Sequence, residues 1–283
     1  MKILISVDIE GISGVVAPCE ANSGDRTPQY LEARRFITAD TNAAIEGALA
    51  GGADEIIVED SHGLEKLNIL YDELHPAARL VRGGPNLLLP HDFLTGIDRD
   101  VDGILLIGWH DRLGGKGVLS HTYTAKDYDE IRVNGKPFGE LDFAARLAAT
   151  LDVPLLMLSG CDVICEYASR EYGLLTAEVK KMKSRFAAEC LSLKNATDLI
   201  REKAREAVAA CAKERPKAFP LEPHYRLDII THDYTTAQAI ARIPGTEYDG
   251  QRMVSYESDR FEDIYNMNLV MFFLKEHVAY PNL

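Results

Sequence analysis

The sequence predicts an α/β fold, a mainly parallel sheet flanked by helices, with a smaller C-terminal α+β module. Three observations predict it. Short, almost continuously apolar runs recur at residues 3–7, 56–58, 104–107 and 154–158. Segments with apolar residues at helical spacing lie between several of them. After about Leu191 the texture changes to a charged helix, a proline-bearing connector and short strand-like runs. Strands apolar on both faces belong to parallel sheets covered above and below, and alternation of such strands with helices is the α/β pattern.

The elements follow in order. The first strand covers residues 2–7, and a turn-rich loop covers residues 21–28. A helix over residues 30–50 carries Leu31, Phe36, Ile37, Ala44, Ile45 and Ala48 at helical spacing, and Gly51-Gly52 ends it. Strands follow at residues 55–58 and 103–107, with a short one at Leu80-Val81 stopped by Gly83-Gly84-Pro85. Asn134-Gly135 sets a tight hairpin within residues 131–138. A helix over residues 140–151 and a strand over 154–158 complete the larger unit. Beyond it come a helix at residues 196–213, a connector at 215–223, strands at 226–231 and 253–256 around a helix at 235–243, and a last helix at 261–277. The expected division is residues 1–190 as an α/β domain holding the site, and 191–283 as a smaller α+β domain and a candidate for oligomer contacts.

Composition narrows the function. A formal net charge of −13 over 283 residues argues against nucleic acid and anionic membrane surfaces, both of which select basic patches. No run approaches the ~18 apolar residues of a membrane span, and the opening residues lack the pattern of a secretory signal. A cytoplasmic protein is expected. The five cysteines have no zinc-finger or thioredoxin spacing and read as reduced, structural thiols.

The chemistry concentrates at strand ends. Ser6-Val7-Asp8-Ile9-Glu10-Gly11 closes the first apolar run, and strand alternation would put Asp8 and Glu10 on one side. Two carboxylates so placed repel unless a cation, a proton or a basic side chain relieves them. Two later runs also lead to histidines, in Glu59-Asp60-Ser61-His62 and Gly108-Trp109-His110. In parallel sheets ligands sit beyond the carboxyl ends of the strands. Asp8, Glu10, His62 and His110 all fall there, and Glu140, after the hairpin, is the best further carboxylate. Three carboxylates and two imidazoles exceed the needs of one catalytic zinc and suit two divalent ions sharing a bridging carboxylate, for which Asp8 is the natural choice. Zinc fits the mixed ligand set, with manganese and cobalt open.

Ser6-Val7-Asp8-Ile9-Glu10-Gly11-Ile12-Ser13-Gly14 resembles the opening signature of the zinc-dependent D-aminopeptidases associated with bacterial dipeptide-transport operons. Matching segments follow in the same order: Asp60-Ser61-His62, Leu74-His75-Pro76, Gly108-Trp109-His110, Gly117-Val118-Leu119-Ser120-His121-Thr122, Asn134-Gly135-Lys136-Pro137 and Gly139-Glu140. The resemblance puts the bridging ligand on Asp8, Glu10 and His110 on one zinc, His62 and Glu140 on the other, and the catalytic histidine on His121. It implies a homo-oligomer, a decamer in the known member, whose interior site would exclude folded proteins. It also implies hydrolysis of short peptides from the N-terminus with D-residue preference. A metal-activated water would attack, and His121 would transfer the proton.

His75 reads as a loop-structuring residue, and His91, His224, His232 and His277 have no supporting cluster. Gly114-Gly115-Lys116-Gly117 lacks the spacing of a phosphate loop, so nucleotide binding is not expected there. Two other classes stay open on the residues alone. One is a dinuclear hydrolase of amides or phosphoesters. The other is a non-catalytic peptide-binding protein from a transport locus.

Overall fold

The computed structural model describes residues 1–24, 26–84, 91–123 and 128–276. Asp25, Pro85 and His277, which enter the expected loop, strand stop and last helix, lie outside the described residues. The chain begins β1 (Lys2–Val7), a single turn α1 (Pro18–Ala21), α2 (Pro28–Ala50), β2 (Glu55–Asp60), β3 (Ala78–Val81) and β4 (Gly103–Ile107). Next come β5 (Tyr128–Val133), β6 (Lys136–Pro137), α3 (Glu140–Thr150), β7 (Leu155–Cys161), α4 (Asp162–Tyr172), β8 (Leu175–Ser184) and β9 (Ala187–Cys190). The remainder is α5 (Leu193–Lys213), β10 (Tyr225–Thr231), α6 (Tyr234–Ile240), β11 (Glu247–Tyr248), β12 (Met253–Ser258) and α7 (Phe261–Glu276).

Seven strands form one sheet in the order β3-β2-β1-β4-β7-β8-β9, parallel throughout except for β9, which returns antiparallel to β8. Its central strands are buried on both faces, which is why Ile3 to Val7 and Gly103 to Ile107 show no polar alternation. Ser6, the polar exception in β1, donates its hydroxyl to Phe93 O at 2.7 Å. The strand order reverses direction between β1 and β4. An open sheet with such a switch point has a crevice there, outside the carboxyl ends of its strands.

The helices are placed by packing and caps. Thr27 caps α2, its hydroxyl accepting from Tyr30 N, and Pro28 opens the first turn, two residues earlier than the apolar spacing indicates. Small residues let α2 lie close to α5: a Cβ on Gly47 would come within 2.3 Å of Arg201 O. α6 ends at Ile240 rather than 243 because Pro244 follows, and residues before a proline are disfavoured in helical conformation.

A second, antiparallel sheet has the order β11-β12-β10-β5-β6. Sheet membership does not follow a cut at residue 190. β5 and β6, from the first half, pair onto β10, while α5, from the second, packs against α2, β7 and β8 of the larger sheet. α7 lies against α3, β10 and β12, with Phe143 of α3 in ring contact with Phe138, Phe261 and Tyr265. This packing anchors α3, and α3 begins with Glu140. All five cysteines are free thiols, and among the described residues no helix is long and apolar enough to cross a membrane.

Candidate metal centre

Six side chains meet at the carboxyl ends of β1, β2 and β4: Asp8, Glu10, His62, His110, His121 and Glu140. Asp8 and Glu10 do converge, though by a turn and not by strand alternation. β1 stops at Val7, Asp8 N donates to Ile107 O at 2.9 Å, and the chain turns with Ile12 N bonded to Ile9 O at 3.3 Å. Leaving the strand lets both carboxylates fold over the crevice. The β4 side comes equally close: Gly11 N donates to Gly108 O at 2.7 Å, and Gly108 has φ +74° with Asp8 O 2.3 Å from where a Cβ would stand. Only glycine accommodates both demands.

His62 sits two residues past β2, in a loop shaped by Asp60. That carboxylate accepts from Asn68 N, Asn68 Nδ2 and Ile69 N at 2.6–2.9 Å, and Asn68 Nδ2 also donates to His62 O. Asp60 is therefore spent on the loop. His110 follows β4. Glu140 opens α3, where Gly139 N donates to Asp142 Oδ2 at 2.7 Å and fixes the helix start. His121 is aimed by Leu119, whose backbone is held at φ +52°, an outlier for a branched residue of the kind that persists at functional sites.

Asp8 spans the centre. Its Oδ1 lies 3.2 Å from His62 Nδ1 and its Oδ2 3.4 Å from His110 Nε2. Glu10 Oε2 is 3.1 Å from His62 Nδ1, and Glu140 Oε2 is 3.4 Å from His110 Nε2. His121 stacks on His110 with ring centroids 4.3 Å apart, its Nε2 3.9 Å from Glu10 Oε1. Two donor groups lie within 4.8 Å of one another, Asp8 with Glu10 and His110, and His110 with His121 and Glu140.

Each imidazole has one nitrogen committed elsewhere. His62 Nε2 donates to Ala21 O at 2.6 Å, His110 Nδ1 to Asp111 O at 2.9 Å and His121 Nδ1 to Leu119 O at 2.8 Å. A carbonyl only accepts, so those nitrogens carry protons, and the opposite nitrogens, which face the carboxylates, are the ones able to give up a proton to a metal. This is how proteins orient histidines toward a metal. The carboxylates fit the same purpose. Their ion-pair partners are these histidines alone, no lysine or arginine among the described residues, and buried Asp8 Oδ2 and Glu10 Oε2 lack hydrogen bonds.

The titrations show the strain of this arrangement. Burial, reinforced by the Glu10 charge, raises the Asp8 pKa. Burial opposes charge on His62 and His110 as well, but the surrounding carboxylates together, led by Glu10 at His62 and Glu140 at His110, hold both well above the ordinary histidine value. His121 goes the other way, lowered by burial and then by His110. A divalent cation would take the place of the protons that the bare cluster gathers.

Lys180 escapes sequence reading. Buried on β8, it gives its three ammonium hydrogens to Glu10 O, Ile12 O and Val15 O at 2.5–2.9 Å and so fixes the turn that carries Glu10. Asp40 holds the same turn by accepting from Ser13 N and Oγ at 2.8 Å. Nothing local marks either residue, because their partners are far away in the chain. Above the cluster opens a cavity of about 690 Å³ whose walls include His62, His121, Tyr123, Arg185 and Phe186.

A carboxylate–imidazole cluster beneath an open cavity at the switch point of a doubly wound sheet is the arrangement of a hydrolytic enzyme. Comparisons narrow that class. The family model of D-aminopeptidases, peptidase family M55, matches residues 1–270. The chain belongs to this family and is an enzyme of the peptidase class. A D-aminopeptidase of Bacillus subtilis (strain 168) is 34% identical over 275 residues, covering 96% of each chain. The solved structure of the Zn-dependent D-aminopeptidase DppA from Bacillus subtilis, a self-compartmentalizing protease, matches with a TM-score of 0.90 at 32% identity, over 99% of this chain and 100% of that one.

Proposed function

We propose that the protein is a zinc-dependent aminopeptidase that removes the N-terminal residue of short peptides, with preference for a D-residue, using two divalent ions. One observation carries the reading: three imidazoles, each tied to a backbone carbonyl by one nitrogen, turn the other toward three carboxylates that have no lysine or arginine partner. Asp8, Glu10 and His110 would hold one ion, and His62 with Glu140 the other, Asp8 being shared. The Asp8 oxygens, one toward each of His62 and His110, suit a bridge.

Bound there, the ions would bring a water toward ionisation near neutral pH and polarise the scissile carbonyl. The chain supplies the rest. His121, with Nδ1–H committed to Leu119 O, offers an unprotonated Nε2 to take a proton from the attacking water and return it to the leaving amine. Glu10, 3.9 Å from that nitrogen, favours the imidazolium formed between those transfers. The surrounding cavity admits a short peptide and not a folded chain. A self-compartmentalizing relative supports a homo-oligomeric assembly, for which we propose the decamer.

The test is turnover by zinc-loaded protein on paired D- and L-alanyl dipeptides beside an aryl phosphate. Release of N-terminal D-alanine ahead of L-alanine is expected. Phosphate cleavage alone, or dipeptide binding without any turnover, would overturn the assignment.

A further inference from the structure

We propose that Arg185 forms a subsite for the C-terminal carboxylate of the substrate, so that the enzyme selects peptides short enough to end inside the cavity. The inference rests on the peptidase reading above and names the group that would set substrate length. It starts from how far β8 runs. β7 pairs with β8 only as far as Cys161 opposite Lys180, whereas β8 continues to Ser184, with β9 as its strand partner from there and Met182 N donating to Asp162 Oδ1 at 2.8 Å. Four residues at about 3.3 Å each carry the hairpin roughly 13 Å past the sheet. β8 runs parallel to β7, so it overshoots at the carboxyl edge where the cluster lies. The two-residue turn Arg185-Phe186 thus becomes cavity wall.

The turn is docked, not loose. Leu119 N donates to Arg185 O at 2.8 Å, and Arg185 Nη2 donates to Ser120 O at 2.9 Å. Ser120 precedes His121, so the guanidinium is fixed one residue from the imidazole that faces the reacting bond. A dipeptide or tripeptide covers that kind of distance, at about 3.3–3.6 Å per extended residue.

The guanidinium is also unspent. Among the described residues it makes that one hydrogen bond, lies over the Phe186 ring at 5.3 Å and pairs with no carboxylate. Among the described residues of the cavity wall it is also the one lysine or arginine. With the N-terminal residue of a short peptide at the cluster, its α-carboxylate would meet the free fork of the guanidinium. A longer chain would place an uncharged peptide group there instead.

The discriminating experiment measures kcat and KM of zinc-loaded wild type, Arg185→Ala and Arg185→Lys on D-alanyl-D-alanine and on its C-terminal amide. Wild type should favour the free acid by roughly tenfold in kcat/KM, chiefly through KM, as a charge-assisted contact would give. Arg185→Ala should lose that preference by falling on the acid alone, and Arg185→Lys should restore part of it. A role confined to holding Ser120 would lower both substrates by one factor, and that result overturns the subsite, as does a wild type indifferent to the carboxylate. If neither peptide were hydrolysed, the peptidase reading would fall. Calorimetric binding of the same two peptides would then decide the subsite, with equal affinities for acid and amide overturning it.

Discussion

Two clusters of buried charge begin two residues apart on α3 and end in opposite states. Asp142 accepts from Gly139 N, Tyr167 OH and Tyr172 OH, and Arg146 lies between the rings of Phe138 and Phe219, 4.7 Å from each, donating to Tyr172 OH. Both oxygens of Asp142 are satisfied there, and Arg146 pairs with Glu222 Oε1 at 3.6 Å. Around Glu140, by contrast, three carboxylates have only histidines as ion-pair partners among the described residues, and Asp8 Oδ2 and Glu10 Oε2 have no hydrogen bond. Leaving buried charge unmatched costs several kcal/mol. The carboxylate of the first cluster is satisfied by the protein itself; those of the second are left for a cation the chain does not contain.

Substitutions can break that contrast. The largest effect is expected for Asp8→Ala, which removes the carboxylate facing both His62 and His110. Zinc retention should be lost and activity should drop roughly a thousandfold or more, the scale of losing transition-state electrostatics. Metal analysis after gel filtration, beside the rate, checks it. His121→Ala should keep the metal content and lower kcat by about 10²–10⁴, the usual worth of general acid–base catalysis.

Asp142→Ala tests the closed cluster. It strips the acceptor from two buried tyrosines and Gly139 N–H and removes a negative charge near Arg146, so unfolding free energy should fall by about 3–5 kcal/mol. Zinc affinity of the folded protein should change by less than about tenfold to a hundredfold. A loss of metal equal to that of Asp8→Ala would show that the two clusters act as one.

The smallest effect concerns Asp40, a buried carboxylate closed by Ser13. Burial pushes its pKa up to about 6, although the Ser13 hydrogen bonds pull the other way. The folded value lies above the unfolded one, so the native state favours the protonated form. The stability this contributes is present in full below about pH 4 and is lost as pH rises through about 6. Asp40→Asn should remove that decline, so its stability relative to wild type should rise by roughly 2–3 kcal/mol between about pH 4 and pH 7, read by denaturant titration.

Sequence patterns revealed the elements whose signal is local. β1, β4 and α2 announce themselves by unbroken burial or by helical spacing, and strand-end residues pointed to the crevice that gathers Asp8, Glu10, His62 and His110. The turn after Val7 was not legible, since nothing in Asp8-Ile9-Glu10 distinguishes a pleat from a bend. α4 and the β8–β9 hairpin went unseen as well. Lysines at positions 180, 181 and 183 make β8 read as solvent-facing, yet Lys180 is wholly buried because carbonyls 165–170 residues away absorb its charge. Sheet membership of β5 and β6 was hidden for the same reason, their partner β10 lying some ninety residues on. Short-range pattern shows where a ligand can sit, and long-range pairing decides what holds it.

Metal stoichiometry is the most direct test of the open cluster. Chelator-stripped protein would be titrated with zinc by calorimetry in buffers of different ionisation enthalpy. Two ions taken up per chain, with protons released from His62 and His110 as they bind, is the expected result. A folded chain that binds a single ion, or binds none while its circular dichroism is unchanged, would contradict the account.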